Sequence, residues 1–157
     1  MSALILVDSV AGVVPKAIGE LATFGKRLGD VTAVVCASNG KEIAAQLESF
    51  PIDKVIVCTG VEFEKHSVAA TVQAIQQVAS KISPKAILIS STARGKEIAG
   101  RLAVRMESGV ITDAIDLTSD LVATQSVFGG STIVHSQVTH GTPIITIRGN
   151  SIAVGES

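Results

Sequence analysis

The sequence predicts an α/β fold of three layers, in which helices cover both faces of a parallel β-sheet. One reason is that short apolar runs bounded by turn residues alternate with segments of helical period through most of the 157 residues. A second is that these runs are apolar on both faces, which is typical of strands in a covered parallel sheet. After about Gly109 the spacings are too short to hold helices. We therefore expect antiparallel strands added to the parallel core near the C-terminus.

The parallel core is predicted to contain four strands, at residues 4–7, 31–37, 55–58 and 86–89. Helices are predicted at about residues 15–28 and 66–82, and two more follow the turns at 38–40 and 90–92. The helix after residues 38–40 is predicted to carry apolar residues as far as Phe50. Pro15 suits the first turn of the 15–28 helix, and Asn39 is a candidate N-cap of the helix after residues 38–40. Pro84 ends the 66–82 helix.

The last third of the chain carries apolar runs at residues 110–111, 121–128, 132–138 and 144–147. They predict an antiparallel edge or hairpin region, with Gly129-Gly130 as the best hairpin turn and His140-Gly141 as a second turn. The chain stops at residues 155–157 without a closing element, as expected of a domain cut from a longer polypeptide.

The composition fits one globular domain over residues 1–157, with 46% hydrophobic residues and a mean hydropathy of +0.48. A charged fraction of 17% and a net charge of −1 argue against nucleic acid or an anionic membrane as partner. Aromatic residues make up 3%, without Trp or Tyr, so little is available to stack on a flavin ring. The first residues do not form a secretory signal and no run reaches the length of a membrane span. We expect a cytoplasmic protein without membrane insertion.

The cysteine and histidine residues do not have the spacing of a metal site. Cys36 and Cys58 each end an apolar run and form no CxxC spacing, so they are interpreted as small buried hydrophobes in a reducing compartment. Redox thiol chemistry is the alternative. His66, His135 and His140 have no Cys, Asp or Glu at ligand spacing, and no metal is assigned to them.

In an open parallel sheet, ligands bind beyond the carboxyl ends of the strands. The residues predicted there are 8–9, 38–40, 59–60 and 90–92. They are small and polar, and Asp8 is their only carboxylate, interpreted as a turn or cap residue at a strand end. No GxGxxG follows the first strand, and the sequence contains neither a Walker loop nor a GxSxG pattern. Dinucleotide, P-loop and hydrolase sites of those kinds are therefore excluded. We therefore expect a protein without its own catalytic residues.

The turn at residues 90–96 combines hydroxyl groups with the start of a helix, whose dipole favours an anion. The candidate residues for an anion or partner contact are Ser91, Thr92, Arg94, Gly95 and Lys96. Capping of the helix by Ser91 or Thr92 explains the hydroxyl groups without a ligand. Arg94, Arg101 and Arg105 are predicted to share one helix face, which is either solvated or a contact face for a partner or a phosphate.

Residues 90–113 resemble the amino-terminal domain of the electron transfer flavoprotein alpha subunit. In that family a strand ends in a Ser/Thr pair, followed by Gly with a basic and an acidic residue, an Arg one turn later, and an apolar stretch that ends in Thr-Asp or Ser-Asp. The matching residues here are Ser91, Thr92, Gly95, Lys96, Glu97, Arg101, Thr112 and Asp113. Residues 127–131 and 144–149 are similar to later family segments, although Phe128 replaces a common Tyr and Gly149 a common Pro. These departures indicate a divergent member.

The resemblance implies a Rossmann-like scaffold, related to the adenine nucleotide alpha hydrolase fold, that assembles with a beta subunit. It also implies one FAD in the complex, held chiefly by the carboxyl-terminal domain of alpha and not by these residues, and an AMP in beta. The partners implied are the beta subunit, an FAD-binding domain and, indirectly, acyl-CoA or other dehydrogenases.

Two other hypotheses stay open at this point. One is a small adenine-nucleotide-binding module that uses the 90–96 turn to hold phosphate. The other is a homo-oligomer that buries a hydrophobic sheet edge near residues 121–148.

Overall fold

The computed structural model describes residues 2–65 and 67–152, which form an eight-stranded sheet with helices on both faces. The strands are β1 (Ser2–Val7), β2 (Asp30–Cys36), β3 (Lys54–Cys58), β4 (Ala86–Ser90), β5 (Val110–Leu117), β6 (Ala123–Val127), β7 (Thr132–Ser136) and β8 (Ile144–Ile147). The helices are α1 (Lys16–Lys26), α2 (Gly40–Ala45), α3 (Glu62–Lys65), α4 (Ser67–Ile82) and α5 (Ala93–Arg105). Across the sheet the order is β3-β2-β1-β4-β8-β5-β6-β7.

The four predicted core strands are confirmed as β1 to β4, and all of their mutual pairings are parallel. Successive side chains along a strand point to opposite faces, so each face can build its own core. In β1, Ala3, Ile5 and Val7 pack on the α1 side. Leu4 and Leu6 pack on the side of α4 and α5. The predicted three-layer arrangement is therefore confirmed.

Most predicted helices are present with adjusted ends. Pro15 is the N-cap residue of α1, and α4 ends at Ile82, two residues before Pro84. The predicted start of α4 at position 66 lies outside the described residues. The second helix was predicted to carry residues as far as Phe50, but α2 ends at Ala45, and the side chain of Asn39 makes no capping hydrogen bond. Asn39 is thus the N-cap residue, as predicted, but without a side-chain cap.

The C-terminal region corrects the sequence prediction in one respect. Residues 144–147 were expected at an antiparallel edge, but β8 lies inside the sheet, parallel to both β4 and β5. All four residues of β8 are buried, as in a strand covered on both faces. The connection from β5 to β8 consists of strands β6 and β7 instead of a helix, which is why the spacing suggested only hairpins.

The antiparallel extension is confirmed for β5, β6 and β7. Strand β5 is longer than predicted: its first half pairs with β8 and its second half with β6, with a bulge between Ile111 and Ala114. Strands β6 and β7 are antiparallel neighbours joined through Phe128, Gly129 and Gly130, all of which have positive φ. The predicted Gly129-Gly130 hairpin turn is thus confirmed.

No helix within the described residues is long and apolar enough to cross a membrane. The tail at residues 155–157 lies outside the part of the chain that the structure describes.

Candidate functional site

A crevice with a volume of about 600 Å³ lies at the carboxyl ends of β1, β2 and β4. The strand order reverses between β1 and β4, and ligands of open α/β sheets bind at such switch points. Its polar lining consists of Asp8, Ser9, Ser38, Asn39, Glu64, Ser90, Thr92 and Arg94. Apolar walls come from Val10, Ala11, Pro15, Ala17, Cys36, Ala37 and Phe63. The crevice therefore lies where the sequence predicted it.

The guanidinium of Arg94 is held by partners inside this crevice. Its Nε donates to both carboxylate oxygens of Asp8, at 3.2 and 3.1 Å. Its Nη1 donates to the Ser67 hydroxyl at 2.8 Å. Asp8 was interpreted as a turn or cap residue, whereas the structure makes it the ion-pair partner of Arg94 across the β1/β4 switch point. The positive charge of Arg94 is consequently neutralised before any ligand arrives.

Two further side chains shape the crevice. The Ser38 hydroxyl donates to Glu64 Oε1 at 2.6 Å and so joins the loop after β2 to α3. The Ser90 hydroxyl oxygen is buried and has no hydrogen-bond partner among the described residues. A buried hydroxyl without a partner loses its hydration free energy without compensation. Ser90 is therefore the polar group of this crevice that most needs a partner.

The start of α5 is built by capping and close packing. The Thr92 hydroxyl accepts a hydrogen bond of 2.9 Å from the Gly95 backbone N–H, so the predicted capping role belongs to Thr92. A Cβ on Gly95 would lie 2.0 Å from the Ser90 carbonyl oxygen. Only glycine allows α5 to approach the end of β4 this closely.

Ser91 and Lys96 belong to a second cluster, at the carboxyl end of β8 and the bulge in the middle of β5. The Ser91 hydroxyl donates to Asp113 Oδ1 at 2.5 Å and lies 2.9 Å from the Thr146 hydroxyl oxygen. Lys96 Nζ is 2.9 Å from Asp113 Oδ2. The Thr146 hydroxyl oxygen also accepts from the Asp113 backbone N–H at 2.9 Å. Burial raises the pKa of Asp113, but the hydrogen bonds from Ser91 and Lys96 outweigh it, so that the pKa lies below its usual value.

This second cluster, Ser91, Lys96, Asp113 and Thr146, fixes the point where β5 changes neighbours. Asp113 has a φ of 56° inside the bulge, which an aspartate tolerates better than a bulky residue. The polar contacts hold this backbone while β5 turns from β8 to β6. The sequence placed Asp113 and Thr146 only within family segments and did not predict their contact, which depends on the unexpected position of β8.

The five candidate residues are thus divided between two places. Thr92 and Arg94 line the crevice, and Ser91 and Lys96 face the Asp113 cluster, while Gly95 lies buried between them. Thr59 was expected in the crevice but lines a neighbouring cavity with Cys58. The other residues expected there but not lining it are Gly40, Gly60 and Ser91. Conversely, Phe63 and Glu64 of the unpredicted helix α3 were missed.

The predicted arginine face of α5 is only partly present. Arg94 turns into the crevice, whereas Arg101 and Arg105 line a shallow groove between α4 and α5 together with Val104. Arg101 pairs with Glu97 one turn away, as on a solvated helix face. Within the described residues, no cluster of three or more His, Cys, Asp or Glu side chains could hold a metal ion.

The antiparallel end of the sheet exposes apolar side chains. Phe128 at the hairpin tip is 81% exposed, and Ile133 on β7 is 53% exposed. β7 is the last strand in the sheet order, so its outer backbone edge is not paired within the described residues. Unpaired edges with large apolar side chains are typical of surfaces that bind another chain. We call the exposed surface of Phe128, Ile133 and Val134 the β7 edge.

Comparison with known proteins gives a consistent result. The sequence model of the electron transfer flavoprotein domain matches residues 3–156. The electron transfer flavoprotein alpha subunit of Mycobacterium leprae is 35% identical over 152 residues, which is 96% of this chain and 48% of the relative. That of Bacillus subtilis is 28% identical over 131 residues, covering 82% of this chain and 40% of the relative.

A relative with a different name also matches. The acryloyl-CoA reductase electron transfer subunit beta of Anaerotignum propionicum is 29% identical over 107 residues, covering 65% of this chain and 29% of the relative. The chain thus spans about half the length of the alpha subunits named above, or less.

Proposed function

Because the chain belongs to the electron transfer flavoprotein domain family and is of the alpha-subunit type, we propose that it is the assembly domain of an electron carrier. It pairs with a beta-type subunit and supports electron transfer through an FAD held elsewhere in the complex. It performs no catalysis of its own, and dehydrogenases such as acyl-CoA dehydrogenases supply the electrons. The single observation that carries the assembly role is the exposed β7 edge.

The physical argument for this edge is the cost of leaving it in water. Full burial of one large apolar side chain contributes about 1.5–3 kcal/mol, and Phe128 is largely exposed. Aromatic side chains buried at an interface are common binding hot spots. A partner strand added beside β7 would also satisfy its outer backbone groups.

The residues of the crevice do not fit FAD, which supports a flavin site elsewhere. The crevice offers little positive charge to a dinucleotide pyrophosphate, because Arg94 is paired with Asp8 and the wall adds the carboxylate of Glu64. An isoalloxazine ring stacks on flat aromatic side chains, and among the residues that line the crevice only Phe63 is aromatic.

Titration of the assembly tests the proposal. We expect Phe128→Asn to weaken binding of the chain to a beta-type electron transfer flavoprotein subunit by at least about tenfold, or 1.4 kcal/mol. Asparagine tolerates the positive φ of this position, so the fold is retained. Val104→Asn is the matched control, because Val104 is 79% exposed on α5 and lies outside the β7 edge. Binding unchanged by Phe128→Asn would refute the role of this edge.

Two further results would contradict the proposal that this chain pairs with a beta-type subunit while the FAD is held elsewhere. One is stoichiometric binding of FAD to the chain alone, measured by flavin absorbance after gel filtration. The other is a stable dimer of this chain, disrupted by Phe128→Asn, that does not bind any beta-type subunit. The second result would favour the homo-oligomer instead.

A second candidate function is adenine-nucleotide binding in the crevice, favoured by the unpartnered Ser90 hydroxyl. Against it, the two cations of the 90–96 turn are paired: Arg94 with Asp8 and Lys96 with Asp113. Calorimetric titration with AMP, ATP and FAD separates the two candidates. A response to adenine nucleotides alone, lost in Ser90→Ala, would establish the second function.

A further inference from the structure

Cys36 and Cys58 are direct neighbours across two parallel strands. They are register partners at the ends of β2 and β3, and both side chains pack against the same hydrophobic core on the α4 side. Neighbouring strands are about 4.8 Å apart, which lies within the Cα separation that disulfides span. The sequence, in which the two residues are far apart and form no motif, gives no sign of this pairing.

Neither cysteine is sealed inside the protein, in contrast to the prediction of buried hydrophobes. Both are only partly buried. Cys36 lines the crevice and Cys58 lines the neighbouring cavity of about 320 Å³ beside α3 and α4. A small oxidant can therefore reach the pair from either side. β3 is also the first strand of the sheet order, so its end can adjust toward β2 without disturbing a further strand.

We propose that Cys36 and Cys58 form a modification site, at which a peroxide oxidises the two thiols to a reversible disulfide between β2 and β3. The Cys58 thiolate attacks one peroxide oxygen, the O–O bond breaks, and a sulfenic acid and water result after uptake of one proton. The Cys36 sulfur then attacks the Cys58 sulfur, the S–O bond breaks, and a second water leaves with the Cys36 proton. The thiol pair loses two electrons and the peroxide gains them.

The order of attack follows from the surroundings of the two thiols, because Cys36 lies beside the Asp8 carboxylate in the crevice whereas Cys58 faces the other cavity. Burial, the neighbouring Cys58 and the charge of Asp8 raise the pKa of Cys36 to about 12. A raised pKa lowers the thiolate fraction of Cys36 at neutral pH, and the thiolate is the nucleophile. Cys36 therefore acts as the resolving thiol, which reacts only after Cys58 has been oxidised.

Peroxide treatment of the purified 157-residue chain tests the site. We expect a loss of about 2 Da in the intact mass, a fall from two maleimide-reactive thiols to none, and one linked peptide pair containing both residues. Dithiothreitol should restore both thiols. Two remaining free thiols, oxidation to sulfinic acid without a disulfide, or disulfides only between chains would each overturn the proposal.

Single variants test the order of attack. Cys36→Ala retains the attacking thiol, so a dimedone adduct should form on Cys58 at a rate close to that of the first step in the wild type. In Cys58→Ala the adduct on Cys36 should form at least about tenfold more slowly. Circular dichroism checks that both variants fold. Equal rates, or faster trapping in Cys58→Ala, would refute the assigned order.

Discussion

Two glycines on the same helix should respond in opposite ways to the same substitution. Gly95 and Gly100 both lie in α5, and alanine is the better helix former by about 1 kcal/mol at an interior position. At Gly100 a Cβ would meet nothing within 4 Å. Gly100→Ala is therefore expected to raise the free energy of unfolding by about 0.5–1 kcal/mol.

At Gly95 the added methyl group has no room. Its carbon would lie 2.0 Å from the Ser90 carbonyl oxygen, more than an ångström inside normal contact distance. The start of α5 must move away from β4, and the fully buried α5 side chains of Ile98 and Leu102 must move with it. Overpacking of this kind costs 1–3 kcal/mol or more. Because the obstacle is backbone, which cannot rotate away, we expect Gly95→Ala to cost about 3 kcal/mol.

Urea denaturation followed by circular dichroism measures both variants. A difference of about 4 kcal/mol between them is expected, and the thermal midpoint of Gly95→Ala should fall by about 6–12 °C for a chain of this size. If the free energy of unfolding of Gly95→Ala lies within 1 kcal/mol of the wild-type value, α5 does not contact β4 as described. If both variants are stabilised equally, helix propensity and not the close approach governs the result.

Two other predictions concern polar groups at the ends of the strands. Asp113 has a lowered pKa, so its contribution to stability is complete above the unfolded pKa of about 3.9 and is lost as the pH falls through the folded value. Asp113→Asn should therefore lower the free energy of unfolding by about 1–2 kcal/mol at pH 7 and by much less at pH 2.5 in urea titrations, and an equal loss at both pH values would contradict the charge pairing. Ser90→Ala should leave the stability unchanged or raise it by up to about 1 kcal/mol, because the hydroxyl oxygen is buried without a partner. Destabilisation by more than 1 kcal/mol in thermal unfolding would mean that this hydroxyl is bonded after all.

The sequence predicted the parallel core because its signals are local. Apolar runs on both faces and helices of regular period were enough to place β1 to β4, and the hydroxyl before α5 was enough to predict a cap. The crevice followed from the general rule that ligands bind at the carboxyl ends of parallel strands. Its actual lining depended on α3, a helix of four residues too short to show a period.

Only the tertiary structure decided which distant segments pair with one another. β8 lies between β4 and β5, and this placement brings Thr146 to Asp113 and separates Ser91 and Lys96 from Thr92 and Arg94. The same holds for the register that places Cys36 beside Cys58. Period, capping and turn preference act over a few residues and can be read from the chain itself. Strand order and register are instead set by the burial of whole faces against one another, a free energy that no short segment contains.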